Sequence, residues 1–510
     1  MKNTKRLMMS VLACMMTFGA ASCRGGGSST PNTATDIQIY YWKSGYGLAF
    51  MEEIVKNFNE KQSTYTAHLE HNANATTITQ TLALGEDNTY DLYFTMLSSM
   101  MYKPDFITLD SVLTMTPDGE SKPVGAKFNQ NILKALKNED GTTNFLSYGN
   151  GWCGIAYNAD IINGTDYEVP VTTNELESLT MDLEVDSALK TANVKPWIFF
   201  NAGTGGGYWS YPMTAWQAQY DGLDYYYNNL LMLKGENGET PQDMLTKKDG
   251  RWQALKVAEQ IITPTSVHPE STNTNHTKVQ TLLLQGKAVM MPNGSWLLNE
   301  SGESVKGTTV KMMKVPVISS IIDVLPDKSI TDDATLAAVI RQIDEGATKF
   351  TSDNYNYSSE VTQADFDRVK EARTLMYNNG AEAYAFIPKY SNAIDGAKEF
   401  LKYFYSDEAL ASFLKHTGSM NCADFTDTSK LDTSSLSAWS KQQVEFGTTM
   451  TAIVSPINKA AIFRNTGFDT FLGVGYPTEF SAQNTNDRRS ADDVWNTLVK
   501  KVNENWEEWN

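Results

Sequence analysis

From residue 36 onward the chain alternates between two hydrophobic periods, and this alternation restricts its fold more than any other feature. DIQIYYW (36–42) is β-rich; Met51, Ile54, Val55 and Phe58 then recur at i, i+3, i+4 and i+7 with Glu52, Glu53, Lys56 and Asn57 on the opposite face. Residues 66–69 suggest a second strand, 77–84 a helix and YDLYF (90–94) a third strand. A βαβαβ opening implies a mainly parallel sheet covered by helices.

A second run of the same kind begins at NGWCGIAYNADII (150–162). Thr172, with Glu175 three residues on, forms a capping box that should start the next helix. KPWIFF (195–200) reads as a strand leading into the glycine loop 203–207, and helices are expected over 250–262 and 276–285. In GKAVMMPNGSW (286–296) the apolar AVMM reads as a buried strand that Pro292, Asn293 and Gly294 should end, with Trp296 just beyond. Residues 332–380 look like a helical, polar, Tyr/Asn-rich insertion. Residues 395–418 read as two short helices parted at Ser406 and closed by Gly418. Ser490 should cap a last helix whose apolar face is Ala491, Val494, Trp495, Leu498, Val499 and Val502. There is no internal repeat. The fold class expected is α/β with two lobes, and a small-molecule site belongs in the cleft where their strand ends meet.

The N-terminus carries an address. Lys2, Lys5 and Arg6 precede an apolar stretch, Leu7 to Phe18, which is shorter than the ~20 residues a spanning helix needs. Gly19-Ala20-Ala21-Ser22-Cys23 follows. This ending resembles the bacterial lipoprotein box, which implies cleavage before Cys23 and lipid on its thiol; Ala20 departs from the leucine usual in that box. An ordinary secretory signal with an incidental cysteine is the alternative. Residues 24–35 are rich in Gly, Ser and Thr and would tether a globule to a membrane with a reach of roughly 20 Å. Losing residues 1–22 removes three positive charges and takes the formal charge from -18 to -21. Such a body neither binds nucleic acid nor lies on anionic lipid, because both require a basic surface. Cys153 and Cys422 remain in the mature chain, too few for a disulfide framework, and are expected free and buried.

Four segments in order resemble the extracellular solute-binding proteins of bacterial ABC importers, in the large family that includes maltose-binding protein. They are IQIYYWKSGYG with FMEEIVKNFNEK, IAYNADII with VPVTTNEL, LLLQGKAVMMPNGSW, and GAKEFLKYFYSDEALASFL. The resemblance implies a two-lobed clamp of the type II periplasmic-binding-protein kind, linked by three crossovers. Each lobe would be a mainly parallel sheet flanked by helices. It implies an N-terminal lobe of 36–150 with about 310–392, including the insertion at about 320–380, and a C-terminal lobe of 151–309 with about 393–510. It also implies a lipid-anchored protein on the extracytoplasmic face of the cell membrane, expected to be monomeric, that hands a carbohydrate to permease subunits without a cofactor or metal and without catalysis.

Site residues carry over only where motifs match. The Trp of the Gly-x-Trp motif, which stacks on sugar in that family, is Trp296, with Asn293 beside it. The loop after the first strand gives Trp42, Lys43, Ser44 and Tyr46, and the loop after the third gives Thr95 and Ser98. The loop after KPWIFF gives Tyr208 and Trp209, and Trp152 stands just before the YNADII motif. The chemistry agrees: an aromatic plane covers the C–H face of a pyranose while short polar groups satisfy its hydroxyls. For Trp296 a half-buried core position is the competing reading, and for Trp42 packing under a helix.

Other chemistries find less support. GTGGGY (203–208) puts Tyr208 where a dinucleotide fingerprint needs a small residue. His68 and His71 lie three apart on a strand and point to opposite faces, there is no HExxH, and Cys153 has no CxxC partner. A secreted glycoside hydrolase stays open as the alternative, since it too would carry aromatics and a carboxylate pair ~5 to 9.5 Å apart. A binder of a non-sugar solute also stays open, although arginine is sparse near the proposed loops and so disfavours an anion.

Overall fold

The computed structural model describes residues 35–43, 45–74, 76–96, 105–138, 140–163, 165–200, 207–272, 274–301, 309–351, 360–454 and 476–509. The signal segment, Cys23 and the tether lie outside the described residues, as do Ser44 and Ser98. Eleven strands occur among the described residues. In chain order they are β1 (Thr35–Trp42), β2 (Tyr65–Asn72), β3 (Leu92–Met96), β4 (Leu146–Ser147), β5 (Trp152–Asn158) and β6 (Lys195–Trp197), then β7 (Ala288–Gly294), β8 (Val310–Met313), β9 (Leu375–Asn378), β10 (Ala383–Phe386) and β11 (Thr451–Ile453).

They form two sheets, each covered by helices. The first has the order β2-β1-β3-β10-β4; the second has β11-β9-β5-β7-β6, with β8 also paired to β5. The opening alternation is present as read, with the helix Ala49–Lys61 burying Phe50, Met51, Ile54, Val55 and Phe58. The sheets are mixed, however, not mainly parallel. β1, β2 and β3 run parallel, but β10 opposes β3, and β5 opposes β7, β8 and β9. The reason is the crossing of the chain. Strands β5 and β10 each enter their sheet from the other lobe and run away from the seam, whereas their neighbours run toward it.

The chain crosses between the sheets three times among the described residues, at 148–151, 379–382 and 428–437. Asparagine side chains stitch the crossings together. Asn378 Nδ2 donates to Asn150 Oδ1 (2.5 Å), Asn150 Nδ2 to the Asn421 carbonyl (3.1 Å), and the Gly151 N–H to Asn379 Oδ1 (2.9 Å). An amide with two donors and two acceptors can join strands where no ladder continues.

Strand pairing corrects the expected division of the chain. The expected first lobe includes about 310–392, yet β8 pairs with β5 and β9 with β5 and β11, all in the second sheet. Only the stretch from β10 onward joins the first sheet. The helices Ile394–Phe404 and Asp407–Thr417, assigned to the second lobe, pack instead on β1 and on Ala49–Lys61. The buried Lys127 fixes the following turn to that lobe by reaching Glu120 (2.5 Å) and Asp407 (2.9 Å), whose carboxylate also accepts from the Thr426 N–H (2.7 Å). Nor is 332–380 a mere accessory. Its helices Asp333–Asp344 and Gln363–Thr374 bury Leu336, Val339, Ile340, Phe366 and Val369, and it ends in β9 itself.

Local signals fared better. Ser406 caps one helix through the Ala409 N–H, and Gly418 closes it at φ 65°, a left-handed value that favours glycine. Thr172 accepts from the Glu175 N–H (3.2 Å), but Glu175 returns to the Val171 N–H (2.9 Å) instead of the cap's own. Ser490 accepts from the Asp493 N–H and starts the last helix, Ala491–Trp509. Cys153 and Cys422 are buried thiols outside any disulfide, and burial pushes the Cys422 thiol up to about 12.

Candidate functional site

β7 brings the Gly-x-Trp motif to the seam. The Pro-Asn-Gly cluster does not end this strand, which runs on through Gly294. Pro292 sits opposite Ile155 of β5, while on its other side β6 reaches only from Ala288 to Met290. A missing N–H there costs no ladder bond. The glycine of the motif has a clear purpose: a Cβ on Gly294 would fall 2.3 Å from Trp296 Cη2, so the indole can lie over that backbone only if the residue is glycine.

Trp296 is 8% exposed. Its indole N–H donates to the Tyr208 hydroxyl (3.3 Å), and its ring meets Tyr208 and Tyr211 edge-on, with centroids 5.7 and 6.0 Å away. Tyr208 in turn stacks on Tyr211 (5.2 Å, 18°). From the first lobe, the loop after β1 closes on the same point: a methyl on Gly45 would lie 3.2 Å from Trp296 Cβ and 3.1 Å from Glu300 Oε1. A second bond crosses nearby, from Asn299 Nδ2 to the Thr417 carbonyl (2.9 Å). Trp296 is therefore a seam residue, held between the lobes on an aromatic cluster of the second.

Among the buried polar atoms with no hydrogen-bond partner among the described residues are Thr95 Oγ1, Tyr148 OH, Trp152 Nε1 and Ser295 Oγ. They lie on elements that lead into the crossings. The Ser295 N–H donates to the Trp152 carbonyl (3.0 Å), Tyr148 follows β4, and Thr95 pairs across the sheet with Tyr384 of β10. Burial first, and then the neighbouring hydroxyls of Tyr41, Tyr46, Tyr405 and Tyr384, hold the Tyr148 hydroxyl well above its ordinary pKa, so it stays a neutral donor and acceptor. A buried polar atom left unpaired costs on the order of 1–3 kcal/mol, and such atoms at a domain boundary match a ligand rich in hydroxyls. No carboxylate of an acid pair is among them.

The remaining expected residues divide. Tyr46 is buried at the seam, its ring 5.3 Å from Phe413 and 6.3 Å from Tyr148. Trp42 is half-buried and its indole N–H is bound to the Ala73 carbonyl (3.2 Å); Lys43 is exposed beside it. Two expectations need correcting. Trp209 is fully buried against Trp197 (5.0 Å) and Phe199 (5.9 Å), because it starts the helix Ser210–Asp221 whose inner face is the second lobe's core. Asn293 is fully buried in β7, where its Oδ1 accepts from the Gly294 N–H (2.7 Å) and its amide nitrogen faces Met291 Sδ (3.6 Å). Sequence reasoning missed Tyr148, Ser295 and Tyr211. The small–aromatic alternation SYGNGW (147–152) was the signal for the first.

A cavity of about 370 Å³ opens elsewhere, at the far end of the first sheet, where Phe58, Tyr65 and Tyr403 line it with Lys61, Lys402 and Glu408. Its lysines are already paired, Lys61 with Glu408 and Lys402 with Asp118 and Glu399. It lies at the start of β2, away from the ends that converge on the seam. Among the described residues no helix is long and apolar enough to cross a membrane.

No protein-family model matches this sequence, and no curated protein matches it. Solved structures do. The cyclic α-maltosyl-1,6-maltose binding protein of Arthrobacter globiformis superposes with a TM-score of 0.61 at 14% identity, covering 92% of this chain and 98% of that one. The bacterial solute receptor AcbH, described as exclusive for β-D-galactopyranose, gives 0.59 at 13% identity, covering 92% and 99%. The apo-form of RafE from Streptococcus pneumoniae gives 0.56 at 14%, covering 93% and 99%. At such identities the likeness establishes the fold: over nine-tenths of its length this chain has the two-lobed α/β architecture of extracellular solute-binding proteins.

Proposed function

We propose that the chain is the solute-binding component of an ABC importer, which captures a carbohydrate between its lobes and delivers it to membrane permease subunits. The observation that carries this reading is the seam. There an aromatic cluster of Tyr208, Tyr211 and Trp296 stands beside the unpaired buried groups of Thr95, Tyr148, Trp152 and Ser295. Aromatic planes and hydroxyl-sized polar groups are what a pyranose requires. Tyr46 closes the same site from the first lobe, and Trp42 and Lys43 precede it at the end of β1. The solved neighbours named above are receptors or binding proteins for saccharides, and RafE is also described in complex with raffinose.

The protein binds and does not cleave. Incubation with a sugar that shifts its tryptophan fluorescence should leave that sugar intact; reducing ends accumulating with time and protein concentration would favour the hydrolase instead. Cys23 anchors the mature chain to the extracytoplasmic face of the cell membrane. Cys23→Ser should move the protein from the membrane to the soluble fraction with its ligand affinity unchanged, and a variant that stays with the membrane contradicts the anchor.

A further inference from the structure

At the rim of the seam a carboxylate oxygen meets the lobe boundary, and the amide that holds its carboxyl is buried behind it. Glu300 lies in the short helix Leu297–Ser301, whose first turn is closed by the Glu300 N–H on the Trp296 carbonyl (2.9 Å). Its Oε2 accepts from Gln280 Nε2 (2.8 Å). Gln280 is fully buried on the helix His276–Leu284, and its amide oxygen has no partner among the described residues. Glu300 Oε1 points to the lobe boundary, 3.1 Å from where a methyl on Gly45 would be.

Among the described residues no lysine, arginine or histidine forms an ion pair with Glu300. Burial raises its carboxyl above the ordinary value, against the bond from Gln280 and the field of His276, which lower it. A carboxylate withdrawn from water, held by a buried amide and lacking a counter-ion is an unusual surface feature and a common functional one. The aromatic groups continue up to it: Phe200 meets His276 at 5.8 Å and Tyr208 at 4.7 Å, and Tyr208 meets Trp296.

We propose that Glu300, held in place by Gln280, is a specificity-determining ligand contact, accepting hydrogen bonds from adjacent hydroxyls of a saccharide whose apolar face lies on the Tyr208–Trp296 cluster. This rests on the carbohydrate-binding reading above. A ring with vicinal hydroxyls can present both to Glu300 Oε1, and the charge-assisted bonds favour that sugar over one lacking the hydroxyls.

The test titrates β-D-galactopyranose, raffinose and cyclic α-maltosyl-1,6-maltose into the mature wild-type protein and into Glu300→Gln. For a sugar that the wild type binds, E300Q should weaken affinity about tenfold or more. The thermal midpoint of the ligand-free protein should not fall, since the substitution is isosteric and removes a buried charge. A deoxy analogue lacking the contacted hydroxyls should bind wild type and E300Q equally. Wild-type affinity in E300Q, or a loss matched by a fall in the ligand-free midpoint, overturns the assignment and leaves the carbohydrate reading standing. Wild type that binds none of the three sugars overturns that reading, and this inference with it.

Discussion

Trp209 and Trp296 both follow a glycine-bearing turn in the second lobe, yet they belong to different chemistries. Trp209 is enclosed with Trp197 and Phe199 in the lobe's own core. Trp296 lies over Gly294 at the end of β7, with the loop after β1 approaching from the other lobe. The first ring is covered by its own lobe and the second in part by its opposite number. Exposure barely separates them, at 0% and 8%. What separates them is which contacts would be lost if the lobes parted. The ring contacts of Trp209 come from its own lobe, whereas Trp296 would lose its cover and present an aromatic face.

That contrast can be broken. Trp209→Ala should cost about 3–5 kcal/mol of folding free energy, the loss typical of a buried tryptophan, while sugar affinity in the folded fraction stays near wild type. Chemical denaturation and a titration on the same variant check it; a well-folded variant with lost binding would move Trp209 back to the site. The crossing should give an intermediate effect. Asn378→Ala strands Asn150 Oδ1 and the Gly380 N–H, each buried, at roughly 1–3 kcal/mol apiece. It should also change the lobes' closing rate, read by stopped-flow fluorescence, more than Trp209→Ala does.

The smallest effect lies on the outside of the first lobe. Hydrogen bonds from His416 and Lys415 hold the Glu53 carboxyl down at about 2 instead of the ordinary 4.5. A depressed carboxyl stabilises the fold above its unfolded value, and that contribution disappears as pH falls from about 4.5 toward 2. Glu53→Gln should therefore flatten the acid limb of the stability curve in that window and leave neutral-pH binding alone. Partial solvent screening keeps the change small. An unchanged acid limb would remove the ion cluster from the account.

The sequence made local features legible and hid long-range pairing. Ser406 and Gly418 mark one helix because a cap and a left-handed glycine act within a few residues. The order of strand and helix from residue 36 was readable for the same reason. Nothing local says that β8 and β9 return to the second sheet, or that the chain reaches the first sheet again only at β10. Those pairings depend on a crossing held by Asn150, Asn378 and Asn379, far apart in sequence. The site divided likewise. Gly294 and Trp296 were visible as a motif. Asn293 is misleading in the sequence because an amide can be consumed by its neighbour's N–H, and Tyr148 is hidden there because its ring partners Tyr41 and Tyr46, Phe94 and Phe404 come from three separate segments.

The central claim is that the seam around Trp296, and not a core, is where a sugar is held. Trp296→Ala tests it most directly, with calorimetric titration of the sugar that wild type binds and urea unfolding without ligand, both set beside Trp209→Ala. The account predicts at least a tenfold loss of affinity, about 1.4 kcal/mol, because the aromatic face and its area leave the site. It also predicts a smaller loss of folding stability than Trp209→Ala shows. Affinity retained at the wild-type value, with a stability loss as large as that of Trp209→Ala, would make Trp296 a core residue and contradict the account.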